Sequence, residues 1–175
     1  SSVYVTPNIA PKCALNISYL VTISLPEISK IGLVDLYAQI VPLKFCTLSP
    51  YPNFKKFRAV YGNIDDWGIR TDFPQFQIFN IEDVKVIMTH IGGYPNAYAP
   101  GIKQLLTEEK PDIFLCGHSH ILKIIYDKEF DLLHINPGAC GRQGFHLKST
   151  LVKFCLDNGK AKDLDIMEFE KNIIK

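Results

Sequence analysis

No stretch of this chain is apolar for long enough to cross a bilayer. The best candidate, Cys13 to Leu25, runs for 13 residues, where a spanning helix needs about 20. Only Lys12 precedes it as a basic residue, so it makes a poor signal-peptide core. Neither sign of charge dominates: 19 Lys/Arg against 18 Asp/Glu leave a net +1. Neither a nucleic-acid surface nor a membrane surface is expected from that balance. A disulfide framework is not expected either. The five cysteines, Cys13, Cys46, Cys116, Cys140 and Cys155, are scattered, odd in number and form no C-x-x-C. That usage suits free thiols in a reducing, cytoplasmic setting. There is no internal repeat and no low-complexity linker. A length of 175 residues with 47% hydrophobic content suits one domain, residues 1–175, with its own core.

The first third lacks something more specific. Residues 1–60 hold no histidine, no Gly-Asp pair and only two acids, Glu27 and Asp35, against six Lys/Arg. All five histidines lie beyond it, and so do the patterns that carry chemistry. Ile113-Phe114-Leu115-Cys116 reads as a buried strand and runs into Gly117-His118-Ser119-His120. Two histidines at i and i+2, where a strand gives way to a loop, can both turn toward one point. Neutral imidazole binds first-row transition metals, so this is half a metal site.

Three more segments have the same form. Phe57 to Tyr61 ends in Gly62-Asn63-Ile64-Asp65, Val84 to Met88 in Thr89-His90-Ile91-Gly92-Gly93, and Asp131 to Ile135 in Asn136-Pro137-Gly138. In open α/β sheets, ligands bind beyond the carboxyl ends of strands. Glycine there lets the backbone approach an ion or substrate closely. Four such endings are hard to explain as packing alone.

In this order and spacing, GNID, MTHIGG, CGHSH and HINPGACGRQGFH resemble the calcineurin-like metallophosphoesterases, and within them a small bacterial and archaeal phosphodiesterase branch. The resemblance runs from about Phe57 to the C-terminus. It implies an α/β fold, a two-sheet αββα sandwich. It implies a divalent-metal-dependent hydrolase attacking phosphodiesters with hydroxide generated at the metals. Two ions are the family's pattern, with Mn2+ expected first and Ni2+, Fe2+ or Zn2+ as alternatives. Asn63, His90 and His118 would bind one metal and His120 the other, with Asn63 and His90 at the catalytic centre.

The resemblance also sets expectations that residues 1–56 depart from. The family opens with D-x-H and continues with a Gly-Asp motif whose aspartate bridges the metals. Asp35-Leu36-Tyr37 after an opening strand Lys30 to Val34 would make Asp35 a ligand, with Tyr37 in the histidine's place. The alternative starts the fold at Val3-Tyr4-Val5 and puts Lys30 near the bridging position; a charged lysine cannot ligate. Larger members carry a histidine after the G-N asparagine. Here that position is Ile64, as in the small branch. The visible ligands support metal binding better than efficient catalysis. A retromer subunit of this fold works through partner contacts, so a catalytically weakened scaffold is the alternative reading.

Bland readings stand beside the sharp ones. A single strand-end histidine is more often hydrogen-bonded than metal-bound; His90 gains weight from its company. His134 is read in a substrate-binding or ligand-supporting role, His146 as a substrate-side residue, and Arg142 as a fork for a phosphate. Each is equally an ordinary strand or loop residue. Asp65 is read as a loop cap and Asn136-Pro137-Gly138 as a turn shaping the pocket floor. A phosphorylated small molecule is the expected substrate, and self-association is left open.

The remaining elements follow from punctuation. Residues 33–41 read as a helix. Phe76 to Asn80 and Val84 to Thr89 form a hairpin around Glu82-Asp83. Pro100 to Lys110, with Ile102, Leu105 and Leu106 on one face, is a helix stopped by Pro111. Asp112 to Cys116 and Leu132 to Ile135 are strands. Thr150 to Leu156 and Ala161 to Phe169 pair across Asp157-Asn158-Gly159.

Overall fold

The computed structural model describes residues 58–65, 67–81, 83–139, 147–157 and 160–170. The helix expected over residues 33–41 lies outside them.

Five strands form the central sheet: β1 (Phe76–Ile81), β2 (Val84–Thr89), β5 (Ile113–Leu115), β6 (Leu122–Asp127) and β7 (Leu132–Pro137). Their spatial order is β1-β2-β5-β7-β6. β2, β5 and β7 run parallel, while β1 and β6 are antiparallel to their neighbours. The composition explains the order. Every residue of β5 is buried, and all but one in each of β2 and β7, as strands covered on both faces require. β1 and β6 expose Phe76, Ile78, Ile125 and Tyr126 and form the edges. Two short strands, β3 (Gly93–Tyr94) and β4 (Ala97–Tyr98), make a ribbon whose turn places Asn96 at φ 68°; asparagine tolerates that region.

The faces divide with period two. Val86, Met88, Ile113, Leu115 and Ile135 point to one side. There they meet Val152 and Leu156 from β8 (Lys148–Asp157), which pairs with β9 (Lys160–Glu170) as a second sheet. Ile87, Phe114 and Leu132 point to the other side and meet Ile102 and Leu106 of helix α2 (Ile102–Glu109). Those two helix residues are one turn apart and almost fully buried. Each contributes about 1.5–3 kcal/mol by burial. The helix starts at Ile102 because Gly101 holds φ 83°. It stops at Lys110, φ 45°, whose N–H donates to Leu106 O at 3.0 Å; the following Pro111 disfavours further helix. The fold is thus mixed α/β with two packed sheets and a helix outside one of them, as the sequence led us to expect.

Three details differ from expectation. Among the described residues, the strand expected over residues 57–61 reduces to a single bridge at Val60. β6 was not anticipated, because Leu122-Lys123-Ile124-Ile125-Tyr126 has no clean alternation, as fits a half-covered edge. Nor was α1 (Trp67–Asp72), a six-residue helix with no buried residue and hence no apolar stripe.

Candidate metal centre

The parallel run of β2, β5 and β7 brings their carboxyl ends to one edge of the sheet. Thr89 ends β2 and His90 follows at once. Cys116 N–H donates to Ile135 O, and Gly117 N–H donates to His90 O, both at 3.0 Å. These bonds tie the β5 loop to β7 and to the β2 loop. Gly92 lets the β2 loop lie directly on β5: a Cβ there would meet Cys116 Cβ at 2.5 Å and the Phe114 ring at 2.8 Å.

Three ligand-type atoms converge. His90 Nε2 is 3.0 Å from Asn63 Oδ1 and 3.2 Å from His118 Nδ1. The two rings meet edge to face. Separations of this size are those between neighbouring ligands around an ion with bonds of about 2.0–2.1 Å. His90 is buried, and its pKa falls from 6.5 to about 4. Desolvation is the main cause, followed by the charge of His118 and then that of His120. The ring is therefore neutral at pH 7, the form that ligates. Its Nδ1 is buried with no partner among the described residues. The donor set fits a first-row divalent ion: two imidazoles and an amide oxygen. It is incomplete, since no three His, Cys, Asp or Glu side chains close on one point among the described residues.

The two loop histidines are held in an uncommon backbone state. His118 has φ 68° and His120 φ 59°, left-handed values that cost a non-glycine residue on the order of 1 kcal/mol. Asn136 opposes that cost. It is fully buried. Its Nδ2 donates to Gly117 O at 3.0 Å and to Ser119 Oγ at 3.1 Å, while its Oδ1 accepts from Gly138 N–H at 3.1 Å. Ser119 Oγ also accepts from Ile121 N–H at 3.2 Å and touches Tyr94 Oη. Sequence reading made Asn136 part of a turn, whereas β7 runs on through Asn136 to Pro137, and it missed the grip of Asn136 on the histidine loop.

The Asn63 loop is fastened from two sides. Gly62 N–H donates to Asp65 Oδ2 at 2.6 Å, the capping role expected of Asp65. Arg70, on α1, donates from Nε to Asp65 O at 2.9 Å and from Nη2 to Asn63 O at 2.8 Å. No motif flagged Arg70. It lines a cavity of about 310 Å³ together with Tyr61, Asn63, Gln75, His90 and Ile91. Ile64 is exposed and offers no proton.

The other expected site residues fall elsewhere. His134 is fully buried on the α2 side of the sheet. Its Nε2 donates to Gly93 O at 3.0 Å and lies 3.4 Å from Cys116 Sγ. With no exposed surface it braces the β2 loop rather than facing a substrate. Burial pushes the Cys116 thiol up to about 12, so it is inert. Asp35, Arg142 and His146 lie outside the described residues.

A family model, the calcineurin-like phosphoesterase superfamily domain, matches residues 37–159. Among solved structures, a predicted phosphoesterase from Streptococcus pneumoniae is 22% identical over 67% of each chain, with a TM-score of 0.52. Vps29 from Chaetomium thermophilum is 12% identical over 86% of this chain and 95% of its own, with a TM-score of 0.54. These likenesses concern the fold. No curated protein matches the chain. The family match spans well over half of the chain, and the chain belongs to the calcineurin-like phosphoesterase superfamily.

Proposed function

We propose that this protein is a divalent-metal-dependent phosphoesterase acting on phosphodiesters of small molecules, with Mn2+ as the first candidate ion and Ni2+, Fe2+ or Zn2+ as alternatives. The observation that carries the reading is the placing of Asn63 Oδ1 at 3.0 Å and His118 Nδ1 at 3.2 Å from His90 Nε2 beside a cavity. Asn63, His90 and His118 would hold one ion, and His120 and Asp35 are proposed for a second. A bound ion supplies Lewis acidity toward phosphoryl oxygens and lowers the pKa of a water. The chain's own residues do the rest. His90 stays neutral and presents Nε2. Asn63 presents its amide oxygen from a loop pinned by Asp65 and Arg70. The described donors carry no negative charge, so a loaded site keeps a strong attraction for phosphate. Ile64 cannot protonate a leaving group, which suits diesters with acidic leaving groups.

Hydrolysis of bis(4-nitrophenyl) phosphate tests this. Turnover is expected only with added divalent metal, and a fall of about 100-fold or more in His90→Ala. Turnover unaffected by chelator or by that substitution would contradict the reading. One observation favours a partner-binding role instead: exposed Ile64, Trp67 and Ile91 belong to the segments that carry Asn63 and His90. Metal binding without any hydrolysis would favour it.

A further inference from the structure

Arg70 was found above as a brace, yet only part of its guanidinium is used. Nε and Nη2 each donate to one backbone carbonyl, Asp65 O and Asn63 O. Those bonds occupy one edge of the planar fork. The outer edge keeps the two Nη1 hydrogens and the second hydrogen of Nη2. Among the described residues Nη1 has no hydrogen-bond partner, and the side chain lines the cavity beside Asn63 and His90. The guanidinium also lies over the Tyr61 ring, 5.0 Å from its centroid. It is therefore charged, held in place from one side and from one face, and open along the edge that pairs with two oxygens of a phosphate at once. Arginine is a poor choice for bracing alone, since one donor per carbonyl would serve.

We infer that Arg70 is the oxyanion-binding residue of this site, taking two non-reacting oxygens of a phosphoryl group seated next to Asn63 and His90. The inference rests on the phosphoesterase reading for its substrate but not for its binding chemistry. Immobility is what gives the contact its value: the rotamer is already fixed by the two carbonyls, so little side-chain freedom is lost when the anion arrives. The ligand class is a tetrahedral phosphate mono- or dianion, free or esterified.

The test uses inorganic phosphate as probe, by isothermal titration calorimetry on the metal-free chain, alongside KM and kcat for bis(4-nitrophenyl) phosphate with saturating Mn2+. Variants are Arg70→Gln, which keeps donors for the loop carbonyls but no charge, and Arg70→Lys, which keeps the charge but not the fork. Bound Mn2+ is counted in every variant. Loss of an ionic hydrogen-bonded pair predicts phosphate binding weakened about tenfold or more in Arg70→Gln, with a matching rise in KM and full metal occupancy. Arg70→Lys should recover part of that. Phosphate binding and KM within twofold of the parent in Arg70→Gln would overturn the inference. So would losses that follow metal occupancy alone, which is the signature of a brace. If the parent hydrolyses nothing but binds phosphate through Arg70, the enzyme reading fails and this one stands. If it hydrolyses and Arg70→Gln changes neither quantity, the reverse holds.

Discussion

His90 and His118 stand 3.2 Å apart and reach that point by opposite means. The loop after β2 is held by packing. His90 is buried, Gly92 presses against Cys116 and Phe114, and His134 holds Gly93 O from beneath. The loop after β5 is held by hydrogen bonds. Its histidines sit at positive φ, His118 is exposed, and the buried amide of Asn136 supplies the restraint. Packing sets a position that any added volume destroys. A hydrogen-bond network sets one that fails when a single donor is lost. Two ligands of one site therefore have different vulnerabilities.

The packed loop breaks hardest. Gly92→Val puts side-chain carbon where Cys116 and Phe114 already stand. About 3 kcal/mol of destabilisation is expected, or roughly a 10 °C fall in Tm by calorimetry. The networked loop breaks next. Asn136→Ala strands Gly117 O in a buried place and Gly138 N–H in a half-buried one, costing about 2 kcal/mol. It should also weaken metal binding about 10- to 100-fold, as loss of groups that orient ligands does, and equilibrium dialysis reads that directly. A smaller loss follows in Ser119→Ala, which leaves Asn136 one acceptor. Here about 1 kcal/mol is expected in denaturant melts, with a proportionate loss of metal affinity. A Ser119→Ala protein with unchanged metal affinity would show that Asn136 acts through Gly117 alone.

A pH scan sharpens the comparison from the other side. The folded pKa of His90, about 4, lies below the ordinary 6.5. The unfolded chain therefore takes up a proton first as pH falls. Keeping this ring neutral costs nothing above about pH 6.5, and stability is then lost progressively as pH falls toward 4. His134, its pKa also lowered mainly by burial, acts in the same direction. His90→Gln should thus flatten the decline in Tm between pH 6.5 and 4. A decline of unchanged slope would place the acid sensitivity elsewhere.

The sequence revealed the strand endings because each needs residues with one meaning. Glycine beside a ligand type, Gly62-Asn63, His90-Ile91-Gly92 or Gly117-His118, is a ligand presented where the backbone must bend. Strands β2, β5 and β7 were visible for a related reason: a strand covered on both faces is a mostly apolar run, which Lys85, Thr89, His134 and Asn136 interrupt only singly. β6 and α1 were not, since an edge strand mixes Lys123 with Ile124 and Ile125, and a short exposed helix has no stripe. Arg70 and Asn136 were missed as supporting groups because their partners are mostly backbone groups, which every residue carries. Between the two roles read for His134, substrate-binding and supporting, the sequence could not choose. A histidine on a strand reads alike whether it faces a cleft or the core, and only burial decides.

The most direct test of the account is equilibrium dialysis of the protein against Mn2+, with metal counted by elemental mass spectrometry in the parent chain and in His90→Ala. At least one ion per chain is expected in the parent, and its loss in His90→Ala. No bound ion in the parent, or binding indifferent to His90, would contradict the account.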